Sequence, residues 1–335
     1  LKTYSIKDIA KMAGVSVATV SRVINDNGRF SEETRKKVLK TIEETGYQVD
    51  SRAQTLRTNR SYTIGIIVPD ITNYFFAKLI EIIEGLLYEL NYSTIICNTA
   101  RDFQKEQSYL KTLSRKGVDG LIIISGADKF NSDIIELKEI PYICIDREPQ
   151  NPKETVFIGS NHFQGAYDAT LKLVSAGSKH PIFLTHTHSS TSSSRRFEGF
   201  KAALRDTGIS YQKYNHYFEF NDNQNHYEKN LKDFLRANSK IDAIFALNDH
   251  IAALTYNVIK QLNIRIPDDI MIIGFDDIPS NIFLTPPLAS VVQDIPEIAK
   301  ISVEKLKSLL NSPKELGKHY KIQTTLAIRE SIRKD

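Results

Sequence analysis

Residues 6–25 read IKDIAKMAGVSVATVSRVIN, and this stretch decides how the amino-terminal part of the chain folds. Ile6, Ile9, Ala10 and Ala13 recur at helical spacing and predict a first helix. Gly14 follows, a residue that accepts the left-handed backbone of a helix end. Ser16 suits the cap of a second helix over VATVSRVIN, with Val20 and Val23 facing inward. A third helix is expected from Ser31 to Gly46, with Glu32 and Glu33 in its first turn. Val38, Leu39 and Ile42 are expected to face the other two helices. In a helix-turn-helix the second helix enters the major groove, and its first residues meet the base edges. Val17 and Ala18 are the short, exposed residues that this role needs, and Arg22 is within reach of a guanine edge or a phosphate. Ser5, Ser16, Thr19, Ser21 and Asn25 are candidates for further hydrogen bonds to DNA.

The charge distribution supports a nucleic-acid contact confined to this head. Residues 1–60 carry twelve Lys and Arg against seven Asp and Glu, a net +5 in a chain whose total is +4. The remainder is therefore close to neutral, and a basic head on a neutral body is the pattern expected of a DNA-binding module. A solvated charged surface would have the same composition, so charge alone does not decide. With 335 residues the chain exceeds one ordinary core. Its 41% hydrophobic and 25% charged residues exclude a disordered chain. No apolar run is long enough to span a bilayer, and no charged start leads into an apolar stretch, so a cytoplasmic protein is expected. The two cysteines, Cys97 and Cys144, sit in the apolar runs STIICN and YICID and read as small buried hydrophobes.

After Tyr47 the segment QVDSRAQTLRTNRS is polar, with little of its own to bury. It reads as a linker able to form one short helix, SRAQTL, only with support. From Thr63 strands alternate with helices. TIGIIVP, STIICN, DGLIIIS and YICID form a first series, with helical stretches such as FFAKLIEIIEGLLYEL and KEQSYLKTLSRKG between them. VFIGS, PIFLT, DAIFAL and IMIIGFDD form a second, with helices near 163–176, 194–206, 224–236 and 249–262. Such alternation predicts an α/β class with parallel sheets covered by helices, here in two lobes. Ligands in this architecture sit beyond the carboxyl ends of the strands, so the lobes offer a cleft.

The head motif resembles that of the LacI/GalR family of bacterial transcriptional regulators. The resemblance extends through NRSYTIGIIVPDITNYFFAKLIEIIEG, YICIDR, VFIGSNHFQGA, RRFEGFKAAL, AIFALNDHIAAL, IMIIGFDDI and TPPLASVVQD, in the family's order. It implies a three-helix head over 1–49 and a hinge helix over 50–60. A two-lobed, periplasmic-binding-protein-like body over 61–335 would bind the effector and dimerise. In relatives the hinge orders on operator DNA and wedges a leucine into the minor groove; the matching residues are Ala53 and Leu56. Val49 and Asp50 depart from the Pro and Asn of many relatives, and Asp50 adds a negative charge near the DNA backbone. The resemblance also implies effector contacts at Asn73, Phe75, Asp146, Arg147, Arg196, Phe220, Asn248 and Asp276. Carboxylates and amides that take hydroxyl hydrogen bonds, an arginine fork and an aromatic face make a plausible sugar site. Asn248, Asp249 and Asp276 would equally serve as caps or turns, and Phe75 as core. The stretch HSSTSSSRRF puts serines and two arginines at a helix start, a feature that suits a sugar phosphate or a flexible surface loop.

One head neutralises few phosphates, so a homodimer on a near-palindromic operator is expected. The effector would favour one arrangement of the body and so set DNA occupancy, as inducer or corepressor. His186 and His188 alternate at a strand end, but no third metal ligand is placed by spacing. No dinucleotide, P-loop, nucleophile-elbow or zincin motif occurs, so neither enzyme chemistry nor a cofactor is expected. A transport receptor of the same body fold would lack the basic head. A regulator of this fold answering to a purine or to a phosphoprotein corepressor remains an alternative.

Overall fold

Three helices form in the head because each has a cap, a stop and one apolar stripe. A computed structural model describes residues 4–24, 26–47, 60–124, 130, 140–187, 190–220, 224–312 and 316–334. Expectations placed on Asn25, on Val49, Asp50, Ala53 and Leu56 of the linker, and on His188 lie outside these residues. Helix α1 (Ile6–Ala13) starts at Ser5, whose hydroxyl accepts from the Asp8 amide while Asp8 reaches back to the Ser5 amide at 2.8 Å. Gly14 ends it with φ 65°. Helix α2 (Val17–Ile24) follows Ser16, whose Oγ takes the Thr19 amide at 3.1 Å. Helix α3 (Glu32–Thr45) runs from the Ser31 cap to Gly46. Ile9, Ala10, Ala13, Val20, Val23 and Val38 form the core, with Ile6 and Ile42 packed on it. Leu39 is a correction: it is 46% exposed, because one helical step from Val38 turns it off the apolar stripe.

The chain divides into Leu1–Ser61 and Tyr62–Asp335. The second unit holds two six-stranded sheets of matching design. The first contains β1 (Thr63–Val68), β2 (Ser93–Asn98), β3 (Gly120–Ile124), β4 (Tyr142–Ile145), β5 (Val156–Ser160) and β11 (His319–Ile322). Their order is β11-β5-β4-β3-β1-β2, all parallel. The second contains β6 (Pro181–His186), β7 (Tyr217–Phe220), β8 (Ala243–Ala246), β9 (Met271–Asp276), β10 (Ala289–Gln293) and β12 (Thr324–Ala327). Their order is β12-β10-β9-β8-β6-β7, parallel except for β12. Strands β3, β4, β5, β8 and β9 are buried along their whole length, which is why they read as continuous apolar runs. STIICN is half-exposed as β2 because it is an edge strand. Both cysteines are free and buried.

The two lobes are not two consecutive segments. VFIGS, expected to open the second series, is β5 and lies in the first sheet between β4 and β11. The chain then crosses to the second lobe at Asn161 and builds α6 (His162–Ser175), α7 (Thr191–Asp206), α8 (Gln224–Ala237) and α9 (Asp249–Gln261). It crosses back after Gln293 into α10 (Ile295–Asn311), which packs on the first lobe with α4 (Tyr74–Glu89). It crosses a third time between β11 and β12, at Gln323. Helix α5 (Phe103–Arg115) covers the other face of the first sheet through Leu110 and Leu113.

Helices α6 and α7 pack directly on each other, and Gly199 sets their approach. A Cβ there would lie 2.2 Å from the Phe163 carbonyl oxygen and 3.0 Å from the Tyr167 nitrogen, both backbone atoms that cannot yield. Gly199→Ala is expected to cost roughly 1–3 kcal/mol of body stability. Urea unfolding of the full chain checks this; an unchanged midpoint would show that the helices part freely.

Candidate functional site

The cleft between the lobes has a buried frame of hydrogen bonds at its floor, built from residues at strand ends and crossings. Asp146 follows β4, Ser160 ends β5, and His162 opens α6. Arg196 lies on α7, Asp276 ends β9, and Gln293 ends β10. Asp146 Oδ1 takes the Ser160 amide at 3.2 Å and lies 3.0 Å from His162 Nε2. Arg196 Nε donates to His162 Nδ1 at 3.3 Å, and Arg196 Nη2 to Asp276 Oδ1 at 3.4 Å. Gln293 Nε2 donates to the same Asp276 oxygen at 2.7 Å, and Ser160 Oγ donates to Gln293 Oε1 at 2.6 Å. The six residues thus close a ring, each of them less than a tenth exposed.

Arg196 is the centre of this frame. Its guanidinium carbon sits 3.6 Å from the centroid of the Phe275 ring, and Nη1 donates to the Leu247 carbonyl at 2.6 Å. Burial works against its charge and pulls its pKa down, opposed by the carboxylates of Asp276, Asp146 and Asp249. Burial likewise raises the pKa of Asp276, opposed by Arg196 and Gln293. Asp146, just past β4, and Asp276, the last residue of β9, both have left-handed backbone, at φ 54° and 109°. Such conformations are costly for residues other than glycine and persist where the surroundings enforce them.

Of the eight residues matched to effector contacts, six line one cleft: Asn73, Phe75, Asp146, Arg196, Asn248 and Asp276. Phe220 lines its wider mouth, edge-on to Tyr227 at 4.3 Å. Arg147 departs from the expectation. It pairs with Glu106 of α5 at 2.7 Å, lies 5.3 Å from the Phe130 ring and lines neither cavity. Buried Glu106 needs a cation beside it, and the positive φ at Asp146 accompanies the parting of the two side chains. Asn73 and Asn248 do what their helix-start positions suggest, taking the Phe76 and Ile251 amides on Oδ1. Both line the cleft as well. Phe75 is likewise core and cleft wall at once.

Ser190 caps α7 reciprocally with Ser193, and both line the cleft with Ser192. Of the two arginines in RRF, only Arg196 belongs to the site; Arg195 pairs with Glu198 at 2.9 Å and Glu148 at 3.4 Å. Sequence reading missed Ser160, His162, Gln293 and Arg101. Arg101 lines the cleft and makes no hydrogen bond or ion pair with another described residue. Its signal was faint, an arginine in the loop after β2. Among the described residues no group of three metal-binding side chains occurs, and no helix is long and apolar enough to cross a membrane.

Asp249, next to Asn248, is fully buried. It accepts from Ser290 Oγ at 2.6 Å, Asn281 Nδ2 at 2.8 Å and the Ile278 amide at 2.9 Å. Burial, with the negative charge of Asp276, pushes its carboxyl up to about 7. The folded chain thus holds a proton that the unfolded chain releases near 3.8. The stability from this group is complete below that value and is lost as pH rises toward 7. Asp249→Asn keeps an acceptor for Asn281 and Ile278 without the charge. The unfolding free energy of the native chain, relative to this variant and read by urea unfolding, is expected to fall between pH 4 and pH 7, by an amount on the order of 4 kcal/mol at most. A pH-independent difference would contradict the assignment.

On the head, Val17 and Ala18 are exposed at the start of α2, with Val20 and Val23 buried behind them. Arg22 is exposed, and Ser21 is half-buried. Ser5, Ser16 and Thr19 are engaged in the helix caps.

Comparison with known proteins agrees with both units. Residues 5–50 match the family described as bacterial regulatory proteins, lacI family. Residues 61–330 match periplasmic binding proteins and sugar binding domain of LacI family. The ribose operon repressor of Halalkalibacterium halodurans is 33% identical, over 98% of this chain and 97% of that protein. A LacI family transcriptional regulator from Enterococcus faecium with bound ribose is 28% identical, with a TM-score of 0.70 over 81% of this chain and 98% of that one. The lac repressor dimer bound to operator and an anti-inducer shares the fold, with a TM-score of 0.86 at 22% identity over 99% of this chain and all of that one. The chain therefore belongs to the LacI family, the effector-controlled DNA-binding regulators of bacterial transcription.

Proposed function

We propose that the cleft binds a small neutral carbohydrate and that its occupancy sets the affinity of the head for operator DNA. One observation carries the ligand class. Asp146 and Asp276 each spend Oδ1 on the frame, while neither Oδ2 accepts a hydrogen bond from a described residue. Arg196 spends three of its five N–H groups and keeps one on each Nη. Asn73 and Asn248 spend Oδ1 on their helices and keep their Nδ2 donors. Fixed acceptors and donors facing one another across an aromatic wall suit a ring of hydroxyls. Ribose, named for the relatives above, is the probe of choice. A sugar phosphate is the second reading, favoured by Arg101 and by the Ser190–Ser193 start of α7 at the cleft wall.

The head meets DNA as one of a pair in a homodimer on a near-palindromic operator, in the cytoplasm. Val17, Ala18 and Arg22 face the bases. Ser5, Ser16, Thr19, Ser21 and Asn25 make supporting contacts, and a hinge at 50–60 inserts Leu56 beside Ala53. Segments 1–49, 50–60 and 61–335 then act as reader, hinge and sensor. The carbohydrate binds one arrangement of the lobes more tightly and shifts the population, by a coupling of about 1–3 kcal/mol. The chain performs no catalysis in this reading.

Calorimetry with ribose and ribose 5-phosphate tests the ligand class. Binding of the free sugar with Arg196→Lys at least about tenfold weaker is expected, since a compact ammonium cannot match acceptors spread around a planar guanidinium fork. Binding of neither sugar nor of a wider sugar panel would overturn the reading. Gel shifts on DNA upstream of the chain's own gene test the head. Arg22→Ala is expected to lose about 1–3 kcal/mol of specific binding while ribose affinity stays unchanged; equal loss on all sequences would make Arg22 a phosphate contact only.

A further inference from the structure

The strongest unassigned group in the molecule is the imidazole of His162. It is 5% exposed, stands on the first residue after a lobe crossing, and touches a ligand-facing residue of each lobe. Its hydrogen bonds determine its tautomer. Arg196 Nε carries a hydrogen and has nothing to accept with, so at 3.3 Å it donates to Nδ1, which must present a lone pair. The ring proton is then on Nε2, and it is donated to Asp146 Oδ1 at 3.0 Å. A doubly protonated ring has no lone pair on Nδ1. It would set an N–H against the Nε–H of Arg196, and place a cation beside a guanidinium that is already buried.

We propose that His162 is a positioning residue that, as the neutral Nε2–H tautomer, ties Asp146 of the first lobe to Arg196 of the second, and that a second proton cuts this tie. The proposal rests on the reading of the cleft as a ligand site, since both tied residues line it. The charged groups around the ring come from every side. Asp146 lies at the end of β4, Arg196 on α7 and Asp276 at the end of β9. Across a small cavity behind the ring stand Glu148, Arg195 and Lys321, of which Glu148 and Arg195 are paired with each other. Protonation gains from Asp146 but sets the new cation directly against Arg196. The Phe275 ring lies 5.6 Å from His162 and 3.6 Å from the Arg196 carbon, so both members of the tie pack against the same aromatic side chain. Acid therefore loosens Arg196 from the first lobe, and the ligand loses a donor set in place.

Two measurements on the full chain test this. Nitrogen NMR of ring-labelled histidine, with His162 assigned by the signal missing in His162→Gln, reads the tautomer without any ligand. An unprotonated Nδ1 and a protonated Nε2 at pH 8 are expected; a proton on Nδ1 at that pH would overturn the proposal. Ribose calorimetry from pH 8 to pH 5.5 reads the consequence. The native chain is expected to lose about tenfold in affinity, the effect of one well-placed hydrogen bond. His162→Gln, whose amide donates to Asp146 and accepts from Arg196 without titrating, is expected to abolish most of that loss. It also subtracts the cleft histidines His186 and His250 and the Asp249 carboxyl, raised to about 7, all of which it leaves in place. An equal pH dependence in the native chain and His162→Gln would overturn the proposal. A failure of ribose to bind at any pH would count against the carbohydrate reading and leave the NMR result to decide the tie.

Discussion

Burying a guanidinium where two sheets meet is the constraint around which the body is organised. Arg196 cannot lose its charge cheaply, so every neighbour must answer one of its donors. His162 and Asp276 do so with side chains, Leu247 with a backbone carbonyl, and Phe275 with its ring face. The answering groups are then held in turn: Asp276 by Gln293, Gln293 by Ser160, and Asp146 by Ser160 and His162. The result is a frame whose members come from both lobes. It sits at the points where the chain passes between them, so a change in one lobe's angle has to alter it.

In the function proposed for the cleft, the same frame lets the site be rigid and still respond. Each carboxylate commits one oxygen to the protein and leaves the other, and the asparagines divide their amide groups between helix caps and cleft. A ligand that takes up the remaining donors and acceptors completes a network spanning the lobes, and low local dielectric strengthens each of its bonds. Differential binding to one lobe arrangement is what allosteric control requires. The left-handed backbone at Asp146 and Asp276 is consistent with positions held for function rather than for local comfort.

Much of this molecule was legible from residues alone. The head was readable because its signals are local: Ser16 and Ser31 at helix starts, Gly14 and Gly46 as stops, and apolar residues at helical spacing. Leu39 failed because one step along a helix is 100°, and pattern reading is uncertain at the edge of a stripe. The buried strands were readable because sheets covered on both faces need continuous apolar runs. Six of the effector positions implied by the resemblance line the cleft, and Asn248 and Phe75, read as cap or core in alternative to ligand contact, serve in both ways.

By itself, then, the sequence determined most of what depends on near neighbours: the helical head, its basic charge, the alternation of strands and helices, and the chemical types gathered near strand ends. The tertiary structure alone decided which strands share a sheet. VFIGS belongs to the first lobe and α10 returns to it, because covering a sheet's faces and edges is a matter of geometry across hundreds of residues. It decided that Arg147 answers Glu106 rather than the cleft. It also decided that Ser160 meets Gln293, 133 positions away, which closes the ring around Arg196. The reason is physical: a hydrogen bond acts over about 3 Å, and separation along the chain carries no information about which distant groups come that close.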